Sequence, residues 1–212
     1  ANQAKSRFLA TASHDLRQPL QTLQLLNAAL ARRLTGPGEL DLIHRQQAAL
    51  ESMANLLNAL LDITKLESGN IRPNLEVVPV ADVLADLQQQ FEAVATARNL
   101  ALTIAPTSLC LRTDRILFRQ VLQNLLNNAL QYTREGGVTV SFGEDATGFS
   151  IRIADTGVGI PAPELDRVFD EYYRLDATGP RPRGFGLGLT IVRQISRLLG
   201  YTVKVESELG RG

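Results

Sequence analysis

Residues 119–133, RQVLQNLLNNALQYT, read as a helix whose two faces want different surroundings. At about 100° per residue, Val121, Leu125, Ala129 and Tyr132 make an apolar stripe. Gln120, Asn124, Asn128 and Gln131 line the opposite side. Asparagine is a mediocre helix former, so two of them at i and i+4 inside a helix ask for a reason. Their amide oxygens are hard ligands of the kind Mg²⁺ accepts beside water and phosphate oxygens. A solvated amide face explains the same residues equally well.

Outward from this helix, placed at 114–133, the chain alternates elements. EVVPV (76–80) and LALTIA (100–105) read as strands around a helix at 81–98, and SLCLRTD (108–114) as a further short strand. On the other side, GGVTVSFGED (136–145) and GFSIRIAD (148–155) read as a hairpin with Thr147-Gly148 in its turn. A loop-rich span at 161–183 leads to a helix at 185–199 and a last strand, YTVKVESE (201–208). The pattern predicts a mixed α/β sandwich, one sheet under a helical layer.

Two glycine-bearing stretches interrupt that pattern. IADTGVGI (153–160) follows the strand that carries Phe149, Ile151 and Ile153. A carboxylate there, Asp155, could accept a hydrogen bond from an exocyclic amine such as adenine N6. Gly157 and Gly159 would let the chain approach a flat ring, although an ordinary turn explains a bare D-x-G-x-G too. GFGLGLTIVRQI (184–195) places Gly184, Gly186 and Gly188 at the start of a helix, where backbone N–H groups cradle phosphate. It matches neither the Walker spacing nor the dinucleotide fingerprint. ATGPRPR (177–183) before it suits a lid carrying Arg181 and Arg183 better than a strand–helix turn.

The N-terminal third is all helix. Residues 1–33 and 40–66 read as two helices joined by LTGPGEL (34–40). In the first, Phe8, Ala12, Leu16, Pro19, Leu23, Leu26 and Leu30 form an apolar stripe. His14 lies about 200° round from Ala12 and Leu16, and so faces away from it. Pro19 has no N–H for the carbonyl of Asp15 and should loosen that turn. In the second helix, Ile43, Gln47, Leu50, Ala54, Leu57, Leu61 and Thr64 make a stripe that Met53, Leu56, Leu60 and Ile63 widen. Each exposed leucine forgoes ~1.5–3 kcal/mol of burial, so two hairpins pairing into a four-helix bundle is the economical outcome. ESGNIRPN (67–74) breaks the pattern, giving expected domains at 1–69 and 70–212, the second with its last strand cut short.

Composition narrows the partners. Of 212 residues, 22 are Lys or Arg and 22 are Asp or Glu, so no basic field argues for nucleic acid or an anionic membrane. The one cysteine, Cys110, excludes an internal disulfide and fits a reducing compartment. No apolar run approaches the ~20 residues that span a bilayer. The start without methionine and the closing GRG suggest a piece of a longer chain.

Taken in order, these motifs resemble the catalytic core of a sensor histidine kinase of the two-component family. FLATASHDLRQPL is similar to its phospho-acceptor box and QVLQNLLNNALQYT to its N box. DTGVGI resembles the G1 box, VFDEYYRLD the F box, GFGLGL the G2 box, and SELGRG the start of a last glycine motif. The resemblance implies a dimeric four-helix bundle followed by an ATP-binding α/β sandwich of the fold shared with type II topoisomerases.

It also implies roles. His14 would take the γ-phosphate of ATP on a ring nitrogen, and Asp15 would orient the ring and accept its proton. Asn124 and Asn128 would carry Mg²⁺, and Asp155 would hold the adenine. The nucleotide site would further include Gln131, Tyr132, Gly157, Gly159, Arg183, Gly184, Gly186, Leu187 and Gly188, with Phe169 anchoring the lid. Gln18, one turn after His14, is the phosphatase candidate. Cys110 and His44 read as structural. The implied partners are a second copy of the chain and a response-regulator receiver domain, fused or separate. No nucleic acid and no direct membrane contact by this piece are expected. A cytoplasmic placement follows, with a membrane anchor for the longer protein left open.

Two alternatives stand beside this. An ATP hydrolase of the same fold would need a glutamate one turn before the metal asparagine, where this chain has Asn124. A nucleotide-binding scaffold without catalysis is kept in play by Gln131, where lysine or arginine is frequent, and by the short lid.

Overall fold

The computed structural model describes residues 18–34, 36–69, 71–145, 148–175 and 185–212. The chain divides into two compact units, Ala1–Ile71 and Arg72–Gly212.

The first unit is a helical hairpin. Residues 18–31 form α1, and Pro37–Glu67 form α2. Pro37 opens α2 at a position where its missing N–H costs nothing, so the helix begins three residues before the expected 40. Glu39 and Lys65 sit at the ends that suit their charges. Gly69, at φ +66, takes the left-handed conformation beyond the last turn. The expected stripe of α2 packs inward: Ile43, Leu50 and Leu61 are buried, and Gln47, Ala54, Leu57 and Thr64 half-buried. The stripe of α1 does not. Leu20 and Asn27 are buried instead, while Leu23, Leu26 and Leu30 are 47%, 56% and 48% exposed. One partner helix covers only a narrow strip of α1, and the strip it covers is the one where Asn27 Nδ2 reaches the Ile43 carbonyl (3.2 Å) and Gln47 Oε1 (3.0 Å). Pro19 is helical and exposed, but the turn it was expected to loosen includes Asp15, outside the described residues.

The second unit runs β1 (Glu76–Pro79), α3 (Val80–Ala97), β2 (Ala101–Ile104), β3 (Cys110–Thr113), α4 (Arg115–Tyr132), β4 (Gly137–Asp145), β5 (Gly148–Asp155) and α5 (Gly188–Leu199). A 3₁₀ turn at Ala162–Glu164 follows β5. Asp114 caps α4 by accepting from the N–H groups of Ile116 and Leu117, both at 3.0 Å. The helices bury Val80, Val83, Leu84, Leu87 and Phe91 of α3 and Phe118, Leu122, Leu126 and Leu130 of α4 against Val138 and Val140 of β4.

Two expectations need correction. The strands make two sheets, not one: β1 pairs antiparallel with β3, and β2 pairs parallel with β4, which pairs antiparallel with β5. Pro106, which has no N–H, stands two residues after the end of β2, and Leu109 N bonds Thr107 Oγ1 (3.2 Å), turning the chain away before β3. The expected last strand at 201–208 forms no ladder among the described residues. Its alternating half-buried and exposed positions follow its apolar–polar alternation, whereas a strand also needs a neighbour in register. The segment is held by side chains instead. Arg152 faces Glu206 (3.5 Å), and the Tyr201 hydroxyl donates to Thr113 Oγ1 (2.5 Å).

A candidate nucleotide site around one helix

Helix α4 is the wall that the site residues share. Gln120, Asn124, Asn128 and Gln131 are all half-buried, which disfavours a solvated amide face. Asn124 Nδ2 donates to the Gln120 carbonyl (2.9 Å), and among the described residues no hydrogen bond engages its Oδ1. That oxygen points at the start of α5: a Cβ on Gly188 would lie 3.4 Å from Asn124 Oδ1 and 3.5 Å from the Asn128 amide. The structure thus brings the two asparagines to the N-terminus of a 12-residue helix, where unpaired N–H groups and the helix dipole favour anions. Leu187, 2% exposed, precedes that helix as its N-cap. Among the described residues no cluster of three or more His, Cys, Asp or Glu could hold a metal. A divalent ion here would meet neutral amide oxygens and rely on phosphate oxygens and water for the rest. That donor set fits Mg²⁺.

The far end of α4 meets the Asp155 loop. Val158 N donates to the Tyr132 carbonyl (3.3 Å), and Gly157 N donates to Asp155 Oδ1 (2.9 Å). The glycines are needed here for protein contacts. A Cβ on Gly157 would stand 2.7 Å from the Tyr132 carbonyl oxygen, and one on Gly159, at φ +66, 2.1 Å from that of Glu208. Asp155 is half-buried, and among the described residues no hydrogen bond engages its Oδ2. Tyr132 is 38% exposed beside this loop.

Residues 169–173 are tied to the start of α5 and the turn before it. Tyr172 N donates to the Gly186 carbonyl (3.1 Å), and buried Thr190 donates from Oγ1 to the Phe169 carbonyl (3.0 Å). Arg193 faces Asp170 at 3.4 Å. Gly186 sits at φ +71, where a Cβ would come 2.6 Å from the Tyr173 carbonyl oxygen. Phe169 is half-buried. Arg181, Arg183 and Gly184 lie outside the described residues, as do His14 and Asp15. Gln18, the first described residue of α1, is exposed, its carbonyl accepting from Thr22 Oγ1 (3.1 Å). Cys110 and His44 are exposed.

Sequence reasoning missed two supports of the site. Arg98 donates through Nη1 to the Leu130 carbonyl and through Nη2 to those of Gln131 (3.4 Å) and Thr133 (3.3 Å), closing the C-terminus of α4. Ser207 Oγ accepts from Ile160 N (2.8 Å). An arginine just past the end of a helix offered no local signal, because its acceptors lie more than thirty residues on.

Comparison with known proteins accounts for the arrangement. Residues 4–69 match the His Kinase A (phospho-acceptor) domain, and residues 113–212 match the histidine kinase-, DNA gyrase B- and HSP90-like ATPase family. The aerobic respiration control sensor protein ArcB of Escherichia coli (strain K12) is 33% identical over the whole chain, which covers 28% of that protein. Sensor protein EvgS of the same organism is 31% identical over the whole chain, which covers 18% of it. The chain therefore spans about a quarter or less of these relatives. The full-length structure of ShkA in complex with AMPPNP superposes with a TM-score of 0.79 at 25% identity, over 97% of this chain and 43% of that one.

Proposed function

The chain belongs to the sensor histidine kinases, and we propose that it moves the γ-phosphoryl group of ATP to His14 and then to an aspartate of a receiver domain. The observation that carries the reading is the meeting of Asn124 and Asn128 with Gly188 at the start of α5. The ShkA complex, which holds an ATP analogue, supports it.

In this reading the adenine amine donates to the open Oδ2 of Asp155, and the phosphates lie against the N–H groups at Gly186–Gly188. Asn124 and Asn128 would hold Mg²⁺, which when bound would supply positive charge to the phosphate oxygens. A neutral ring nitrogen of His14 attacks the γ-phosphorus, ADP departs with the bond to its β-phosphate oxygen, and Asp15 takes the ring proton. Arg183 and Gly184 belong to the lid, and Gln18, one turn after His14 in sequence, would hold water against a receiver's aspartyl phosphate. Residues 1–69 act as dimerisation and phosphotransfer domain, and 70–212 as ATP-binding domain. The amide of Asn124 cannot take a proton from water, which disfavours an ATP hydrolase.

The test is incubation of the chain with Mg²⁺ and ATP. The expected product is a phosphoramidate, labile in acid and stable in alkali, absent in His14→Gln and in Asn128→Ala. Label that survives acid, or that persists in His14→Gln, refutes the assignment.

A further inference from the structure

The C-terminal segment supplies a support for the Asp155 loop. Ser207 Oγ accepts from Ile160 N (2.8 Å) and donates to the Gly212 carbonyl oxygen (2.8 Å), so one hydroxyl bonds to both sides of the contact. Glu208 N donates to the same Gly212 oxygen (2.8 Å), and Gly210 N donates to the Val158 carbonyl (2.8 Å). The Glu208 carbonyl fills the space a side chain at Gly159 would need, and a Cβ on Gly212 would lie 1.9 Å from the Asp155 carbonyl oxygen. Residues 207–212 therefore pack against the loop, and the Tyr132 carbonyl also holds it through Val158 N.

We infer that Ser207 is a positioning residue for base recognition, fixing the loop that aims the open oxygen of Asp155. The inference rests on the proposed adenine role of Asp155. Among the described residues the N–H of Ile160 has one acceptor, and Ser207 supplies it. Alanine leaves that N–H to water and removes the tie to Gly212, so the loop samples positions in which Asp155 Oδ2 misses the amine. Contacts to the triphosphate come from α4 and α5 and are untouched. The loss is therefore specific to the base. Threonine keeps the hydroxyl and should keep the function.

The experiment measures ATP and GTP affinities of the full chain by equilibrium binding for wild type, Ser207→Ala, Ser207→Thr and Asp155→Ala, with thermal unfolding of each. Ser207→Ala is expected to weaken ATP about tenfold and GTP little, eroding the preference for adenine, while Ser207→Thr stays near wild type. Autophosphorylation should show the change in KM, with kcat nearly unaltered. If Asp155→Ala leaves the ATP preference intact, the adenine role itself is wrong. If Asp155→Ala abolishes it and Ser207→Ala does not, only the Ser207 inference is overturned. Equal losses for ATP and GTP in Ser207→Ala, or no recovery with threonine, also overturn it, because a general collapse of the fold produces that result. Should Ser207→Ala fail to fold, the base preference of Ser207→Cys, a poor acceptor of similar size, decides in the same terms.

Discussion

Tyr201 shows how one hydroxyl can report on the packing of the ATP-binding unit. Its ring stands edge-on to Phe118, with centroids 6.4 Å apart, and its hydroxyl donates to Thr113, which is 1% exposed. Burial pushes the phenol above its ordinary 10.0, and the Thr113 hydroxyl, which can turn to donate to the phenolate, only partly opposes this. A tyrosine whose folded value is raised keeps its proton when the unfolded chain has lost it. Its contribution is therefore complete below pH 10 and is lost as the pH rises through 10 towards the folded value. Alkaline unfolding monitored by circular dichroism should steepen above pH 10 in the wild type. Tyr201→Phe should lose that steepening, and at pH 7 should cost about 1 kcal/mol for the bond removed. An unchanged alkaline limb in Tyr201→Phe would show that the steepening comes from another group.

Helix α4 is the element on which most of the site depends, and Arg98, which is outside the site, ties down its C-terminus. Its last carbonyls would be left to solvent without the guanidinium of Arg98, which spans three of them. Arg98 is exposed, so water moderates the gain, and Arg98→Ala should destabilise the unit by roughly 1 kcal/mol in urea titrations. Arg98→Lys should restore only part, because one ammonium cannot reach all three acceptors. Hydrogen exchange localises the effect: amides of the last turn of α4 should open faster in Arg98→Ala, and those of α3 should not. Uniform acceleration would contradict the cap.

At the scale of the molecule, the open question is what covers α1. Leu23, Leu26 and Leu30 remain about half exposed within one chain, with Leu42 and Met53 of α2 exposed at 68% and 60%. A second copy would bury them, each leucine contributing ~1.5–3 kcal/mol, which is the physical basis for the proposed dimer. The 212-residue chain should scatter light as a dimer at micromolar concentration, and so should residues 1–69 alone. Leu26→Glu should give a helical monomer, since a carboxylate in that seam lacks a partner. A wild-type chain that stays monomeric would refute the arrangement.

What the sequence determined by itself was local or written in residue types. The helices and most strands followed from periodicity, and the order of acceptor histidine, paired asparagines, Asp155 and the glycine-rich turn carried the resemblance to a nucleotide-using phosphotransfer family. Tertiary structure decided which of those residues meet and why each is the type it is. Gly157 and Gly159 looked like room for a flat ring, yet the close neighbours that require them are the carbonyls of Tyr132 and Glu208. The leucine stripe of α1 looked like the inner face, and the hairpin turned Leu20 and Asn27 inward instead. Ser207 opens the SELGRG motif, but its bond to Ile160 left no signal, because that partner lies 47 residues away. Period and propensity report on interactions within a few residues. Close approaches between distant backbones arise only when the sheets and helices have packed, and no local pattern records them.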